Sequence, residues 1–464
     1  MSKVEDKGII VGEEFKRVLD HLDQDGCAPA FIGGMGGTGK SVLNRMVHKS
    51  RKNVVTVAPT GLAAVNVNGC TAHSTFSIPP ITLKANEYRL PRRDKMDALR
   101  KIDVLQMDEI GMFKPNMIDF IDIVMRSAKG NSAPFGGVKL AMYGDLLQLP
   151  AVVTNEPERD FFTMNYGSDH FFQAHVFKRN PIEHFALSKV WRQTDFEFIN
   201  ALAHIRIGHN YRESLALINR HCYRDRVVPE GEAIMRLVPR NNQADVINSA
   251  MINGLKGELK TFTADVDGEI DITKADGKFP APAHLNLKVD AFVMFTVNSG
   301  EWVNGTCGHV RKITDHELEV ELKNGTRVLV PKAEWDINKP ELNRATGSLS
   351  YQSMAKFRQF PIRVAYANTI HKTQGATLDQ AIIDLGEGTF STGQAYVALS
   401  RVKTMDGLFL KRPLSMRDVI VDQMALEYWQ KHFPSDGVGI ELAMQQQTTA
   451  TNHQEPEMAF GMRG

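Results

Sequence analysis

Eight consecutive residues constrain the fold of this chain more than any other feature. They are Gly34, Met35, Gly36, Gly37, Thr38, Gly39, Lys40 and Ser41. The segment follows an apolar run at 28–32 and precedes a helical run at 42–47. A loop with this spacing between a strand and a helix wraps phosphate oxygens with its backbone N–H groups, while Lys40 adds a positive charge and the Ser41 hydroxyl is placed to ligate Mg²⁺. The sequence therefore predicts an α/β core that binds a nucleoside triphosphate. A glycine-rich turn without a nucleotide is the alternative, and the Lys-Ser ending at a helix start argues against it.

Length and charge bound what surrounds this core. With 464 residues the chain exceeds what one hydrophobic core serves, so we expect two or more domains. The net charge of +1 gives no overall attraction to polyanions, so any nucleic-acid site must be a local basic channel. The four cysteines lack metal-ligand spacing, which argues against a zinc site or disulfides. The polar start of the chain and the lack of an 18-residue apolar run predict a soluble intracellular protein without a membrane span.

The order of the predicted elements indicates two α/β cores with insertions. Buried parallel strands are predicted at 54–58, 104–107 and 138–143. We expect the first core at 1–180, with a small basic subdomain inserted at about 76–101. The second core is predicted at 181–262 and 359–436, interrupted at 263–358 by short alternating strands typical of a small β-barrel. The polar tail at 437–464 is expected to be disordered.

Five further side chains have the chemistry of phosphoryl transfer. Asp108 and Glu109 follow the predicted strand 104–107, where Asp108 would hold Mg²⁺ and Glu109 would polarise the attacking water. Gln148 follows the next strand, and its amide is placed to sense the γ-phosphate. Arg192 and Arg401 lie far along the chain and are candidates for arginine fingers, although a single arginine more often lies on the surface. If both reach the nucleotide, it lies in a cleft between the two cores.

Seven motifs occur in the order typical of one enzyme family. They are Val-Thr-Val-Ala-Pro-Thr-Gly at 55–61, Thr-Ala-His-Ser at 71–74, Asp-Glu at 108–109, Gly-Asp-Leu-Leu-Gln-Leu-Pro at 144–150, Trp-Arg-Gln at 191–193, Thr-Ile-His-Lys-Thr-Gln-Gly at 369–375 and Tyr-Val-Ala-Leu-Ser-Arg at 396–401. Over about residues 8–412 the chain resembles the PIF-type helicases of the superfamily-1, 5′-to-3′ class, with RecD-like and Dda enzymes as near relatives. The resemblance implies two RecA-like P-loop NTPase domains in tandem, a wedge subdomain at 76–101 and a small barrel in the second domain.

The resemblance also implies which residues bind DNA and which bind the nucleotide. Thr60 and Gly61 would bind a DNA phosphate, with His73 and Ser74 near the strand. In the second domain, His371, Lys372 and Thr373 would bind the strand, while Gln374 and Gly375 would couple it to the nucleotide. Hydroxyls, N–H groups and a few cations suit phosphate contacts without sequence readout.

One position departs from the family pattern. Relatives of this kind carry a glutamine ahead of the P-loop that reads adenine, within a Leu-Asn-x-x-Gln pattern. The corresponding segment 11–16 places Phe15 there. The preference for ATP over other triphosphates is therefore open, and base stacking or backbone contacts would have to replace the amide.

These observations predict an ATP- and Mg²⁺-dependent helicase that moves 5′ to 3′ on single-stranded DNA and unwinds forked duplex in replication, recombination or repair. We expect a monomer, with a single-strand-binding protein or a replisome component as a possible partner. The expected location is the cytoplasm of a bacterial or phage-infected cell, or the nucleus or mitochondrion in a eukaryote. A DNA-stimulated translocase that separates no strands is one alternative. A P-loop kinase is another, although it would need neither Arg192 nor Arg401.

Overall fold

The computed structural model describes residues 12–79, 87–153, 155–224, 233–268, 281–297, 299–342 and 349–433. The predicted tail at 437–464 lies outside these residues, and the insertions expected at 76–101 and 263–358 are described in part. Within the described ranges, no helix combines the length and apolar character needed to cross a bilayer.

The first core is built on a parallel sheet. Its strands are β1 (Ala30–Gly34), β2 (Val54–Ala58), β3 (Cys70–Thr71), β4 (Val104–Met107), β5 (Lys139–Gly144) and β6 (Glu183–Leu187). They lie in the order β3-β2-β4-β5-β1-β6, and β2 and β4 coincide with two predicted strands. Because β6 pairs along the whole of β1, the first core continues past residue 180, where the sequence placed its end.

Helices cover this sheet and the second one. In the first core they are α1 (Glu13–Asp23), α2 (Lys40–Ser50), α3 (Gly61–Asn66), α4 (Ala72–Phe76), α5 (Arg93–Leu99), α6 (Pro115–Lys129), α7 (Glu156–Tyr166) and α8 (His175–Arg179). They are followed by α9 (Phe196–Ile207), α10 (Tyr211–Asn219), α11 (Asn241–Gly254), α12 (Gln394–Leu399) and α13 (Gln423–His432). Helix α1 illustrates why they form: Phe15, Val18 and Leu22 recur at helical spacing and pack against the sheet.

The second half of the chain contains the remaining strands. They are β7 (Arg236–Val238), β8 (Lys260–Thr263), β9 (Asp265–Gly268), β10 (His284–Leu287), β11 (Phe292–Phe295), β12 (Cys307–Ile313), β13 (Glu317–Leu322), β14 (Arg327–Pro331), β15 (Ala333–Leu342), β16 (Leu349–Gln359), β17 (Ile362–Val364), β18 (Ala367–Thr369), β19 (Ala381–Ile383) and β20 (Leu408–Leu410). The second core is a parallel sheet in the order β18-β7-β19-β20.

The insertion in the second core is antiparallel. Its largest sheet has the order β14-β13-β12-β11-β17, β9 pairs with the β15–β16 hairpin, and β8 pairs with β10. Because β17 pairs with β11 and β8 with β10, the insertion runs from about residue 260 to 364 rather than from 263 to 358.

The last helix returns to the first core. The rings of Trp429 and Phe433 pack against β1, where a Cβ on Gly33 would lie 2.8 Å from the Trp429 ring. The Tyr428 hydroxyl is 2.9 Å from His184 Nε2 on β6. The sequence assigned this segment to the second core, and that boundary is wrong because the apolar side of α13 covers β1 and β6 instead.

Candidate active site

The loop at 34–41 joins β1 to α2 in a conformation that only glycine tolerates at two positions. Gly37 and Gly39 have φ values of 89° and 92°, in the left-handed region. The Lys40 ammonium donates to the carbonyls of Gly34 (2.7 Å) and Met35 (2.8 Å), and the Thr38 hydroxyl donates to Met35 (2.9 Å). These bonds fold the loop around the Lys40 side chain. Phosphate binding by the loop stays a prediction.

Two carboxylates follow β4, one buried (Asp108) and one half-buried (Glu109). Asp108 is 8% exposed, and Glu109 has a φ of 50°, an unusual value for a residue with a side chain. Burial, and then the charge of the adjacent Glu109, raise the pKa of Asp108 to about 7, although the charge of Lys40 opposes the shift. Burial also raises the pKa of Glu109, against the opposing charges of Lys40 and Arg401. Among the residues that the structure describes, neither carboxylate forms an ion pair within 4.0 Å, and the charges that oppose them act from a longer distance.

Three side chains from other parts of the chain meet the loop at Gly36. A Cβ on this glycine would lie 3.5 Å from Gln148 Nε2, 3.6 Å from Arg192 Nη1 and 3.6 Å from Arg401 Nη2. Gln148 follows β5 and Arg192 follows β6, both in the first core. Arg401 follows α12 of the second core. The structure thus brings together three residues that the sequence could only predict separately as nucleotide-binding residues.

The two arginines lie close together, and among the described residues neither forms an ion pair within 4.0 Å. Arg401 donates to the carbonyl of Val397 (2.8 Å) and to the Ser400 hydroxyl (2.8 Å), and Arg192 donates to the carbonyl of Ser400 (3.3 Å). Burial and the charge of Arg192 lower the pKa of Arg401 to about 9, and burial lowers the pKa of Arg192. One buried and one half-buried guanidinium group, which repel each other beside a phosphate-binding loop, fit the terminal phosphate of a triphosphate.

A chain of side-chain amides crosses between the cores. The Gln374 amide donates to the Glu109 carboxylate (3.2 Å) and to Gln148 Oε1 (3.4 Å), and Gln148 Nε2 donates to the Asp145 carboxylate (3.2 Å). Gln374 therefore links the second core to both the predicted water-polarising residue and the predicted phosphate sensor. Its neighbour Gly375 has a φ of 82°, and a Cβ there would lie 3.5 Å from Asn66 Nδ2 of α3. The coupling of Gly375 to the nucleotide stays a prediction.

Sequence reasoning missed three residues of this site. The backbone N–H of Gly36 donates to the Tyr396 hydroxyl (2.9 Å), which donates to the Asp145 carboxylate (3.3 Å). Arg206 on α9 forms a buried ion pair with Asp145 (2.7 Å). Burial alone would raise the pKa of Asp145, but Arg206 more than offsets it and lowers the pKa. Tyr396 and Asp145 lie inside recognisable motifs, whereas nothing in the sequence marked Arg206.

The predicted DNA-binding residues lie at the carboxyl ends of strands in both sheets. Thr60 and Gly61 follow β2, and exposed Thr60 caps α3 by accepting from Ala63 N (3.2 Å). His371 and Lys372 follow β18 in a 3₁₀ turn and are half-buried. The carboxyl edges of parallel strands are where open α/β sheets bind ligands, so both pairs occupy positions suited to the predicted contacts.

Three other predicted DNA contacts involve residues that are partly or fully buried. His73 and Ser74 lie in α4 and are half-buried; burial, and then the charge of Lys114, lower the pKa of His73. The Thr373 side chain is fully buried, and its hydroxyl donates to the Ile370 carbonyl (2.9 Å). The structure contradicts a DNA contact for Thr373, because a buried hydroxyl that closes the turn cannot also bind a phosphate.

Comparison with known proteins identifies the family. The sequence model of the PIF1-like helicases matches residues 12–214. The chain is 32% identical over 411 residues to the ATP-dependent DNA helicase Pif1 of Bdellovibrio bacteriovorus, which covers 86% of this chain and 88% of that protein. The chain belongs to the PIF1-like helicase family.

Solved PIF1-like helicases have the same fold. The crystal structure of Bacteroides sp Pif1 in complex with ADP-AlF4 superposes with a TM-score of 0.82 at 31% identity, covering 93% of this chain and 98% of that one. Bacteroides Pif1 bound to ssDNA gives a TM-score of 0.67 at the same identity and coverage. The two parallel sheets are therefore the tandem RecA-like domains predicted from the sequence.

Proposed function

We propose that this PIF1-like helicase hydrolyses ATP between its two cores and uses the cycle to move along single-stranded DNA in the 5′-to-3′ direction, unwinding forked duplex. The observation that supports it most is the meeting of Gln148, Arg192 and Arg401 at Gly36. A nucleotide bound there would be held by groups from both cores, so its hydrolysis would change how the cores contact each other.

Each residue of the site has a part in this reaction. Glu109 would accept a proton from the attacking water, and Gln374, which donates to its carboxylate, would hold the acceptor oxygen in place. Lys40, Arg192 and Arg401 would stabilise charge on the phosphate oxygens as the bond breaks. Because Gln374 belongs to the segment that also contains His371 and Lys372, a shift of the DNA strand would reach the proton acceptor directly.

Mg²⁺ would be held by Ser41 and Asp108. Ser41 is exposed at the start of α2, and Asp108 is a buried carboxylate without a cation partner among the described residues. A hydroxyl and one carboxylate, completed by phosphate oxygens and water, form the oxygen set that Mg²⁺ prefers. The bound ion would neutralise phosphate charge.

A single chain supplies every group of this site. The loop, the two carboxylates and both arginines come from one polypeptide, so the nucleotide site needs no second subunit. We therefore propose that a monomer hydrolyses ATP. Partners such as a single-strand-binding protein would act on the DNA rather than complete the site.

Two assays test the proposal. The rate of ATP hydrolysis is measured with and without single-stranded DNA; we expect strong stimulation, and a rate indifferent to DNA would contradict a DNA motor. Unwinding is then measured on forks with a 5′ or a 3′ single-stranded loading tail. Unwinding from the 5′ tail alone is expected. Unwinding from the 3′ tail would reverse the proposed polarity, and stimulation without unwinding would favour a translocase.

A further inference from the structure

The two ends of the phosphate-binding loop have different surroundings. At Gly36 the loop faces Gln148, Arg192 and Arg401, which suit the terminal phosphate. At Gly39, three residues later, a Cβ would lie 3.1 Å from the Phe15 ring and 3.7 Å from Trp191 Cδ1. If the polar end holds the terminal phosphate, as proposed above, the aromatic end lies where the sugar and base would leave the loop.

The residues at the aromatic end offer little that could read a base edge. Phe15 is 9% exposed and packs into the core of the first sheet. The neighbouring Glu14 carboxylate accepts from the Ser188 hydroxyl (2.5 Å) and from Ser188 N (3.2 Å), so its oxygens are already engaged. A site rejects the wrong base strongly only when buried donors and acceptors are left unpaired by it.

Trp191 offers stacking in place of hydrogen bonds. Its side chain is 57% exposed beside the loop, its backbone N–H donates to the Gly37 carbonyl (2.8 Å), and the Lys189 ammonium lies 3.9 Å from its ring centroid. An indole stacks on any base because every base has a π-face. The ammonium is a donor that any acceptor satisfies, and every base carries at least one acceptor.

From this arrangement we infer that the enzyme hydrolyses purine and pyrimidine nucleoside triphosphates with similar efficiency. The base would stack on Trp191, and no amide at position 15 would read its edge. The inference rests on the proposed function and specifies its substrate class. Without unpaired polar groups, shape alone discriminates between bases by roughly 10- to 200-fold at most. We expect kcat/KM for ATP, GTP, CTP and UTP to fall within about 30-fold of one another.

The first experiment uses the unaltered chain. Hydrolysis of the four triphosphates is measured at saturating single-stranded DNA and equal Mg²⁺, and kcat/KM is compared. A spread below about 30-fold supports the inference, and a larger preference for one base overturns it while leaving the proposed motor intact. Absence of hydrolysis of all four with DNA present would instead count against the proposed function.

Two variant pairs test the residues themselves. Phe15→Gln supplies the missing amide and should raise the ATP-to-GTP ratio of kcat/KM by at least tenfold, whereas the matched apolar control Phe15→Leu should leave it unchanged. Trp191→Ala should raise KM for all four triphosphates about tenfold with kcat nearly unchanged, because stacking is lost, and Trp191→Phe should restore KM. An unchanged ratio in Phe15→Gln, or an unchanged KM in Trp191→Ala, would overturn the assignment.

Discussion

The two cores contribute different groups to one site. The first core supplies the phosphate-binding loop together with the carboxylates of Asp108 and Glu109, all at the carboxyl edge of its six-stranded sheet. The second, four-stranded core supplies Arg401, Tyr396 and the Gln374 amide, from segments outside its strands. The first core alone has the parts of a nucleotide-binding protein. Under the proposed function, hydrolysis would depend on groups that the second core brings to the loop.

The largest effect on hydrolysis should come from removing a nucleotide-binding residue of the first core. Lys40→Ala removes the half-buried ammonium that the loop folds around, so hydrolysis should fall by at least about a thousandfold. DNA-stimulated phosphate release measures the rate, and Lys52→Ala, on the exposed surface after α2, is the matched control. A Lys40→Ala enzyme that keeps more than about a tenth of the turnover would be incompatible with the assignment.

A substitution in the second core's part of the site should lower hydrolysis without weakening DNA binding. Arg401→Ala should lower kcat by about a thousandfold, because a guanidinium at Gly36 is lost, while leaving the Kd for single-stranded DNA within about threefold. Arg401→Lys keeps the charge without the planar donor pair and tests whether a folded variant is still slow. The exposed neighbour Lys403 supplies the control, Lys403→Ala. Weaker DNA binding with unchanged turnover would remove Arg401 from the nucleotide cleft.

The contact between the cores is tested by a single hydroxyl. Tyr396→Phe removes the group that bridges the Gly36 N–H and the Asp145 carboxylate, while the ring remains packed. Loss of one buried hydrogen bond in the active arrangement should lower kcat about tenfold and leave the KM for ATP nearly unchanged. Thermal unfolding checks that the variant is folded. A raised KM with full kcat would mean that the hydroxyl serves nucleotide binding rather than the contact between cores.

A smaller effect is expected at the predicted DNA contact of the second core. Lys372→Ala should weaken binding to single-stranded DNA a few-fold and lower the slope of log Kd against log salt concentration by about one, because one phosphate contact is lost. Fluorescence anisotropy at several salt concentrations measures both. Lys431→Ala on α13 is the matched control. A salt slope equal to that of the unaltered chain would exclude a phosphate contact at Lys372.

The smallest expected effect is on the stability of the first core, through ionisation of Asp108. Burial raises the pKa of Asp108 from 3.8 to about 7, so ionising this carboxyl lowers the stability of the nucleotide-free fold. This loss of stability is absent below about pH 4, grows as the pH rises to about 7, and is constant above pH 7. Asp108→Asn should therefore raise the melting temperature by roughly 3 °C at pH 8 and by much less at pH 4.5, although hydrolysis is lost. Calorimetry at both pH values, with the surface variant Asp20→Asn as control, measures the difference. An equal shift at both pH values would contradict it.

The sequence by itself determined the parts whose signals are local. The spacing of residues 34–41 specifies the loop, the apolar run before Asp108 and Glu109 places them at a strand end, and the ordered motifs identify the PIF1-like helicase family. Short-range periodicity and steric requirements, such as the positive φ of Gly39, depend on neighbouring residues. They can therefore be predicted without knowing which distant residues are in contact.

Only the tertiary structure decided which distant segments meet. Strand β6 and helix α13 belong to the first core, Thr373 is buried in its own turn, and Arg206 pairs with Asp145 across 61 positions of the chain. Pairing in a parallel sheet and packing between domains join residues far apart in sequence, so no local pattern encodes them. The convergence of three side chains on Gly36 is of the same kind: residue types suggest a role, but only packing brings them to one point.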